Sequence, residues 1–106
     1  MSQTLDLVKQ LIARGEIRIS EHGYDELAAD GLSVAEILAG VGEAQMMEDY
    51  PHYAKGPCVL VLQKDHSGEA IHVLWGMAGK SATPAVLVTA YRPDPAKWLD
   101  GFRTRK

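Results

Sequence analysis

The feature that most constrains the fold is a nearly unbroken apolar run over residues 85–91, where polar side chains begin abruptly toward the end. Apolar residues on both faces are typical of a strand that is covered on both sides, so the run predicts a central strand of a sheet. Thr89, Tyr91 and Arg92 gather at its carboxyl end. We therefore expect this strand to organise the chain, with its polar end at the rim of the sheet, where a site can form.

Helical patterns come first along the chain, and strand patterns follow. Apolar residues at helical spacing predict an amphipathic helix over residues 4–14. Ser20 and Ser33 are N-cap residue types, and they predict further helices over 21–29 and from 33 onward. Period-two alternation predicts a short strand or extended segment over 16–20. Strands are predicted over four later segments: 44–50, 58–64, 70–77 and 85–91.

This segregated order predicts an α+β fold rather than a parallel α/β fold. Two or three N-terminal helices are expected to pack on a four-stranded, mainly antiparallel sheet, because the strands are joined by short connections. Every second residue of 71–77 is apolar and is expected to face the core, which places His72 on the more open face. Residues 97–102 predict one helical turn that docks Trp98, and residues 103–106 are expected to fray.

Length and composition predict one domain over residues 1–106. A chain of 106 residues can bury a single core. The net charge of −3 disfavours a nucleic-acid partner, although a cleft can be basic on an acidic protein. Cys58 is the single cysteine, which excludes an internal disulfide and fits a reducing compartment. No apolar run reaches the roughly 18 residues of a membrane span and no signal peptide is visible, so a cytoplasmic protein without membrane contact is expected.

Motifs for metal, cofactor or phosphate-loop binding are missing, so we expect neither a metal nor a cofactor. The four histidines show no paired short spacing, and a lone cysteine does not complete a zinc site. Residues 79–81, Gly-Lys-Ser, are similar to the end of a phosphate loop, but Leu74 stands where that pattern needs a glycine. Lys80 is therefore kept only as a basic loop contact to a substrate.

Two histidines are candidates for acid–base chemistry. His22 shares a predicted helix face with Asp25 and Glu26, at the i+3 and i+4 positions, so a carboxylate could orient its ring. His72, on the open face of its strand, could serve the same purpose. For each of them the alternative is a structural or solvated histidine, and the residues alone favour that alternative.

The polar end of the last strand offers groups that suit a phosphate. Arg92 could grip a phosphate or carboxylate through two hydrogen bonds, and Tyr91 could stack on a base or donate its hydroxyl. Thr89 shares a face with Tyr91, where it either contacts a substrate or simply fills the strand as a β-branched residue. The alternative is a surface arginine beside an aromatic ring that covers the sheet edge.

Four blocks of sequence resemble a known family. They are residues 17–22 (Ile-Arg-Ile-Ser-Glu-His), 30–37, 70–74 and 87–95, with Trp98 after the last block. Together they resemble the domain-of-unknown-function 4258 family over about residues 16–98. The resemblance implies helices followed by an antiparallel sheet, similar to the barnase/colicin/RelE-like ribonuclease fold. It also implies, by position, a site made of His22, His72, Thr89, Tyr91 and Arg92.

The chain departs from the family pattern beside this implied site. The family usually has arginines four and eight residues after its motif histidine, and this chain has Glu26 and Asp30 there. Two anions in place of two cations disfavour stabilisation of the negatively charged transition state of phosphate cleavage. The chain therefore resembles a degenerate member of a nuclease-like family, and whether it is an enzyme stays open at this point.

Two functions from different classes follow. The first is a metal-independent endoribonuclease of toxin type, in which His22 or His72 is the acid or base, Arg92 and Lys80 hold the phosphate, and Tyr91 stacks on a base of the RNA. The second is a non-catalytic protein-binding or assembly module of a toxin–antitoxin-like system, with a protein or a second copy of the chain as its partner. A basic groove would favour the first function, and an acidic one the second.

Overall fold

Three helices and a five-stranded sheet form the fold in the computed structural model, which describes residues 3–53, 56–77, 84–99 and 104–105. The helices are α1 (Gln3–Ala13), α2 (Glu21–Ala29) and α3 (Val34–Gly40). The strands are β1 (Ile17–Ile19), β2 (Gln45–Tyr50), β3 (Cys58–Lys64), β4 (Ala70–Met77) and β5 (Ala85–Tyr91). Their order in the sheet is β1-β5-β4-β3-β2. The predicted α+β class is confirmed. No helix within the described ranges is long and apolar enough to span a membrane.

The sheet has one strand more than the four predicted, and the additional strand makes the mainly antiparallel sheet a mixed one. β1 lies beside β5 in parallel, with Ile17 opposite Ala85 and Ile19 opposite Leu87. The other neighbours, β5-β4, β4-β3 and β3-β2, are antiparallel. The prediction was wrong here because β1 has only three residues, and its pairing depends on a strand far away in sequence. β5 has a neighbour on each side, as expected for an internal strand.

One face of the sheet carries the core, and the three helices cover it. The predicted inward face of β4 is confirmed, since Ile71, Val73 and Trp75 are all fully buried. Buried residues of the helices complete the cluster: Leu5, Val8, Leu11, Leu27 and Ile37. At about 25 cal/mol per Å² of apolar surface removed from water, this contact is the main stabilising contribution to the fold. The opposite face, called the outer face below, points away from the helices.

The start of α2 is held on β5 by a serine and a glycine. Ser20 is the N-cap of α2, and its Oγ accepts a hydrogen bond from the Gly23 N–H at 2.9 Å. The same Oγ donates to the Val88 carbonyl of β5 at 2.8 Å. Gly23 is buried against β5, where an added Cβ would lie 2.8 Å from the Leu87 carbonyl oxygen. The sequence motif that begins α2 therefore also sets how closely the helix approaches the sheet.

The segment after β5 differs from its prediction. Pro95–Lys97 forms a short 3₁₀ turn, and the Asp94 carboxylate caps it by accepting from the Ala96 N–H at 2.9 Å. Trp98–Leu99 is then a strand, β6, paired with β7 at Thr104–Arg105. The helical turn predicted from residue 97 is therefore wrong at β6, and the fraying predicted from residue 103 is wrong at β7. Residues 100–103 lie outside the described part of the chain.

Candidate functional site

His72 and Tyr91 lie side by side on the outer face of the sheet. The two residues are opposite each other in the β4–β5 register, and the His72 Nδ1 is 3.3 Å from the Tyr91 hydroxyl. The indole of Trp98 contacts the His72 ring edge-on, with ring centroids 4.2 Å apart. His72 is 0 % exposed. The expectation that His72 is openly accessible was therefore wrong, because β6 brings Trp98 over this part of the outer face.

Arg92, the predicted phosphate ligand, is engaged by two carboxylates. Its guanidinium Nη1 lies 2.9 Å from Asp65 Oδ2, and its backbone N–H donates to Asp30 Oδ2 at 2.8 Å. The Asp65 side chain is only 3 % exposed. Backbone N–H groups of Glu69 and Ser67 also donate to it, and the Glu69 hydrogen bond, followed by Arg92, holds the Asp65 pKa below its usual value.

His22 makes its ion-pair contact with Glu26 on its own helix and not with the His72–Tyr91 pair. Its side chain is 66 % exposed on α2, and its Nε2 is 3.6 Å from Glu26 Oε1. Thr89 is half-buried on the same face as Tyr91, opposite Leu74. Of the predicted residues, the structure thus brings His72 and Tyr91 into contact, with Arg92 next in the chain but turned to an acidic partner. Lys80 lies outside the described residues.

A second polar cluster, absent from the sequence predictions, joins α3 to the β3–β4 turn. The ring of His66 contacts the Glu36 carboxylate at 2.5 Å. This contact raises the pKa of His66 and lowers that of Glu36. Glu36 was identified only as part of a capping box, and His66 only as a turn residue. Their separation of 30 positions leaves no local signal in the sequence that could have paired them.

An apolar groove crosses the outer face at the end of the sheet farthest from Arg92. Its floor is one row of residues in direct register, one from each strand in the order β1-β5-β4-β3-β2: Arg18, Val86, Gly76, Cys58 and Tyr50. Leu74 and Val88 line it beyond this row, and Tyr53, Gly56 and Pro57 line it from the β2–β3 connection. The groove encloses about 490 Å³, within the range of roughly 300–1,000 Å³ usual for ligand sites.

The two ends of the groove differ in charge. Arg18 is exposed at the β1 end, and it makes no ion pair with any described residue. At the β2 end, the Tyr50 hydroxyl donates to the Glu48 carboxylate at 2.7 Å. Burial, together with the nearby Asp49 carboxylate, raises the pKa of the Cys58 thiol in the floor. The groove is therefore apolar in its middle, cationic at one end and acidic at the other.

The comparisons with known proteins give one match. A family model described as "Domain of unknown function (DUF4258)" matches residues 19–92, which is 74 of the 106 residues. Neither the curated proteins nor the solved structures contain a significant match. The described residues also contain no group of three or more His, Cys, Asp or Glu side chains placed to hold a metal ion. The likeness to the barnase/colicin/RelE-like fold stays a prediction.

Proposed function

We propose that this chain, which belongs to the domain of unknown function 4258 family, is a non-catalytic module that binds a partner protein through the groove on its outer face. The observation that carries the proposal is the groove itself, an apolar surface that the helices leave uncovered. Tyr50 and Tyr53 are 42 % and 56 % exposed beside it, and Arg18 stands at its end. Tyrosine and arginine are enriched in protein interfaces, where they supply much of the binding energy.

The charges around the family-motif residues support a non-catalytic chain. Cleavage of a phosphodiester without a metal needs cations and acid–base groups that can reach the phosphate. Here the Arg92 guanidinium already has Asp65 as its partner, and His22 has Glu26. A phosphate that approached Arg92 would have to displace a nearly buried carboxylate and would meet Asp30 on the adjoining backbone. Both costs oppose binding of RNA at this place.

The ribonuclease reading is the competing candidate, and one observation favours it. His72 and Tyr91, two of the residues named by the family resemblance, are in contact on the outer face. A histidine and a phenol at this distance could exchange a proton. Catalysis would need an RNA phosphate to reach a ring that is fully buried under Trp98. The contact is explained equally well by packing, because a buried histidine needs a polar partner.

An RNA cleavage assay in EDTA tests the non-catalytic proposal. We expect a mixture of structured and single-stranded RNAs to remain intact with the wild-type chain at high protein concentration. His22→Ala and Arg92→Gln are the variants compared with it, because both side chains are at least one third exposed; urea unfolding checks that Arg92→Gln, which leaves Asp65 without its partner, is still folded. Cleavage by the wild-type chain that either variant abolishes would overturn the proposal and establish the ribonuclease.

A further inference from the structure

The shape of the groove selects a linear occupant. Its floor crosses all five strands, and neighbouring strands lie about 4.8 Å apart, so the row from Arg18 to Tyr50 is about 19 Å long. Gly76 sits in the middle of this row and has no side chain to fill it. Two concave surfaces of this kind do not fill each other, which disfavours a symmetric dimer formed groove to groove. An extended peptide advances about 3.3 Å per residue, so roughly six residues cover the floor.

The charges at the two ends of the groove indicate at which end a bound segment carries an acidic residue. The structure describes the side chains of three arginines, namely Arg14, Arg18 and Arg92. Two of them have carboxylate partners, because Arg14 pairs with Glu16 and Arg92 pairs with Asp65. Arg18 has no ion pair with any residue that the structure describes. An unpaired guanidinium at the rim of an apolar surface is suited to a carboxylate, which it can hold through two hydrogen bonds. The acids near Tyr50 would repel a carboxylate placed at the opposite end.

We propose that the groove binds an extended segment of a partner protein, about six residues long, with an acidic side chain on Arg18 and apolar side chains over the floor. The inference rests on the proposed function and names the partner chemistry of the same site. Alternate side chains of an extended segment point the same way. An acidic residue at the first position and apolar residues at the third and fifth therefore all face the groove, while the remaining positions face solvent.

Two synthetic peptides test this assignment. The acidic probe is acetyl-Glu-Ser-Leu-Ser-Leu-Ser-amide, and the basic probe has lysine in place of glutamate. Cys58 is the only cysteine of the chain and lies in the groove floor, so its rate of alkylation by N-ethylmaleimide reports whether the groove is occupied. Chemical shifts of backbone amides in the ¹⁵N-labelled protein locate the binding. We expect the acidic probe to slow alkylation and to shift resonances of the floor residues.

Charge reversal at Arg18 provides the decisive comparison. The wild-type chain should bind the acidic probe about threefold to tenfold more tightly than the basic one, as an exposed ion pair and its repulsive counterpart would give. Arg18→Glu should reverse this order. Arg14→Glu is the matched control, since it makes the same change of charge at an exposed residue just before β1 and outside the groove, and the order should stay that of the wild type.

Several results would overturn the inference. They are the absence of protection of Cys58 by either peptide, a preference that Arg18→Glu leaves unchanged, and a preference that Arg14→Glu reverses equally. Protection by dodecanoate, an anionic amphiphile, without protection by the acidic peptide would also overturn it and would assign the groove to a lipid-like ligand. Failure of the non-catalytic part of the proposed function is distinguished from these outcomes, because it appears as RNA cleavage in the assay above whatever the peptides do.

Discussion

Replacing Gly23 by alanine tests the contact that fixes α2 on the sheet. The added Cβ would lie 2.8 Å from the Leu87 carbonyl oxygen and 3.2 Å from that of Val88, both in the backbone of β5. A Cβ essentially never comes within 3.0 Å of an atom that is neither in its own residue nor in a neighbouring one. Because backbone cannot rotate away as a side chain can, the helix must move outward by roughly half an ångström, and a close-packed interior resists such a shift.

The cost follows from three contributions. Overpacking of this kind costs about 1–3 kcal/mol. The outward shift also weakens one of the two hydrogen bonds of the Ser20 hydroxyl, which accepts from the Gly23 N–H and donates to the Val88 carbonyl, and such a bond is worth about 1 kcal/mol. Alanine stabilises a helix by at most about 1 kcal/mol relative to glycine, which offsets part of the loss. We expect the free energy of unfolding to fall by about 2 kcal/mol.

Urea unfolding measures this loss, and Gly76→Ala is its control. With a slope of about 1–3 kcal/mol per M, a loss of 2 kcal/mol lowers the midpoint by about 1 M. At Gly76 the added Cβ would be 3.4 Å from Val88 Cγ2 and 3.7 Å from Cys58 Cβ, which is ordinary contact. That variant should be as stable as the wild type or more stable by up to about 1 kcal/mol. Equal stability of Gly23→Ala and the wild type would refute the account of α2.

Two further predictions concern polar groups in and beside the core. Gln63→Leu leaves the Trp75 Nε1–H and the Ile37 carbonyl without their buried partner, so the free energy of unfolding should fall by about 2–4 kcal/mol, and an unchanged denaturation midpoint would contradict this. The raised pKa of His66 stabilises the fold below about pH 6.5, and this is lost as pH rises through the folded-state pKa. The lowered pKa of Glu36 stabilises it above about pH 4.5, and this is lost as pH falls. The stability of His66→Gln should therefore differ most from the wild type between these values, in pH-dependent unfolding, and a difference that grows above about pH 8 would contradict the assignment.

What the sequence could predict was local. Alternation assigned the two faces of β4 correctly, and N-cap serines located the starts of α2 and α3, because these signals lie within a few residues. The parallel pairing of β1 was missed because its partner, β5, begins 66 residues after β1 ends. The same limit applies to coverage of the outer face. A pattern shows which way His72 points, and only the fold shows that Trp98 lies over it.

The contacts around the candidate site could not be predicted from the sequence for a related reason. Arg92 has the chemistry of a phosphate ligand, and nothing near it in sequence indicates that Asp65, 27 positions away, holds its guanidinium. Asp30, at a position where the family resemblance implies an arginine, accepts a hydrogen bond from the Arg92 backbone N–H across 62 positions. The departure from the family pattern therefore has a structural explanation in this chain. The hydrogen bond of Asp30 joins the end of α2 to the residue that follows β5.

Two arginines near opposite ends of β5 differ in how available each guanidinium is to bind an anion. Arg92 would have to give up a carboxylate that is 3 % exposed before it could hold an anion, whereas Arg18 is exposed and has no ion pair to break among the described residues. Breaking a pair with a nearly buried carboxylate leaves that charge uncompensated, and an exposed guanidinium carries no such cost. We therefore expect anions to bind more readily at Arg18 in the groove than at Arg92. An acidic segment of a protein, laid along an apolar floor, is the ligand that this distribution of free charge fits.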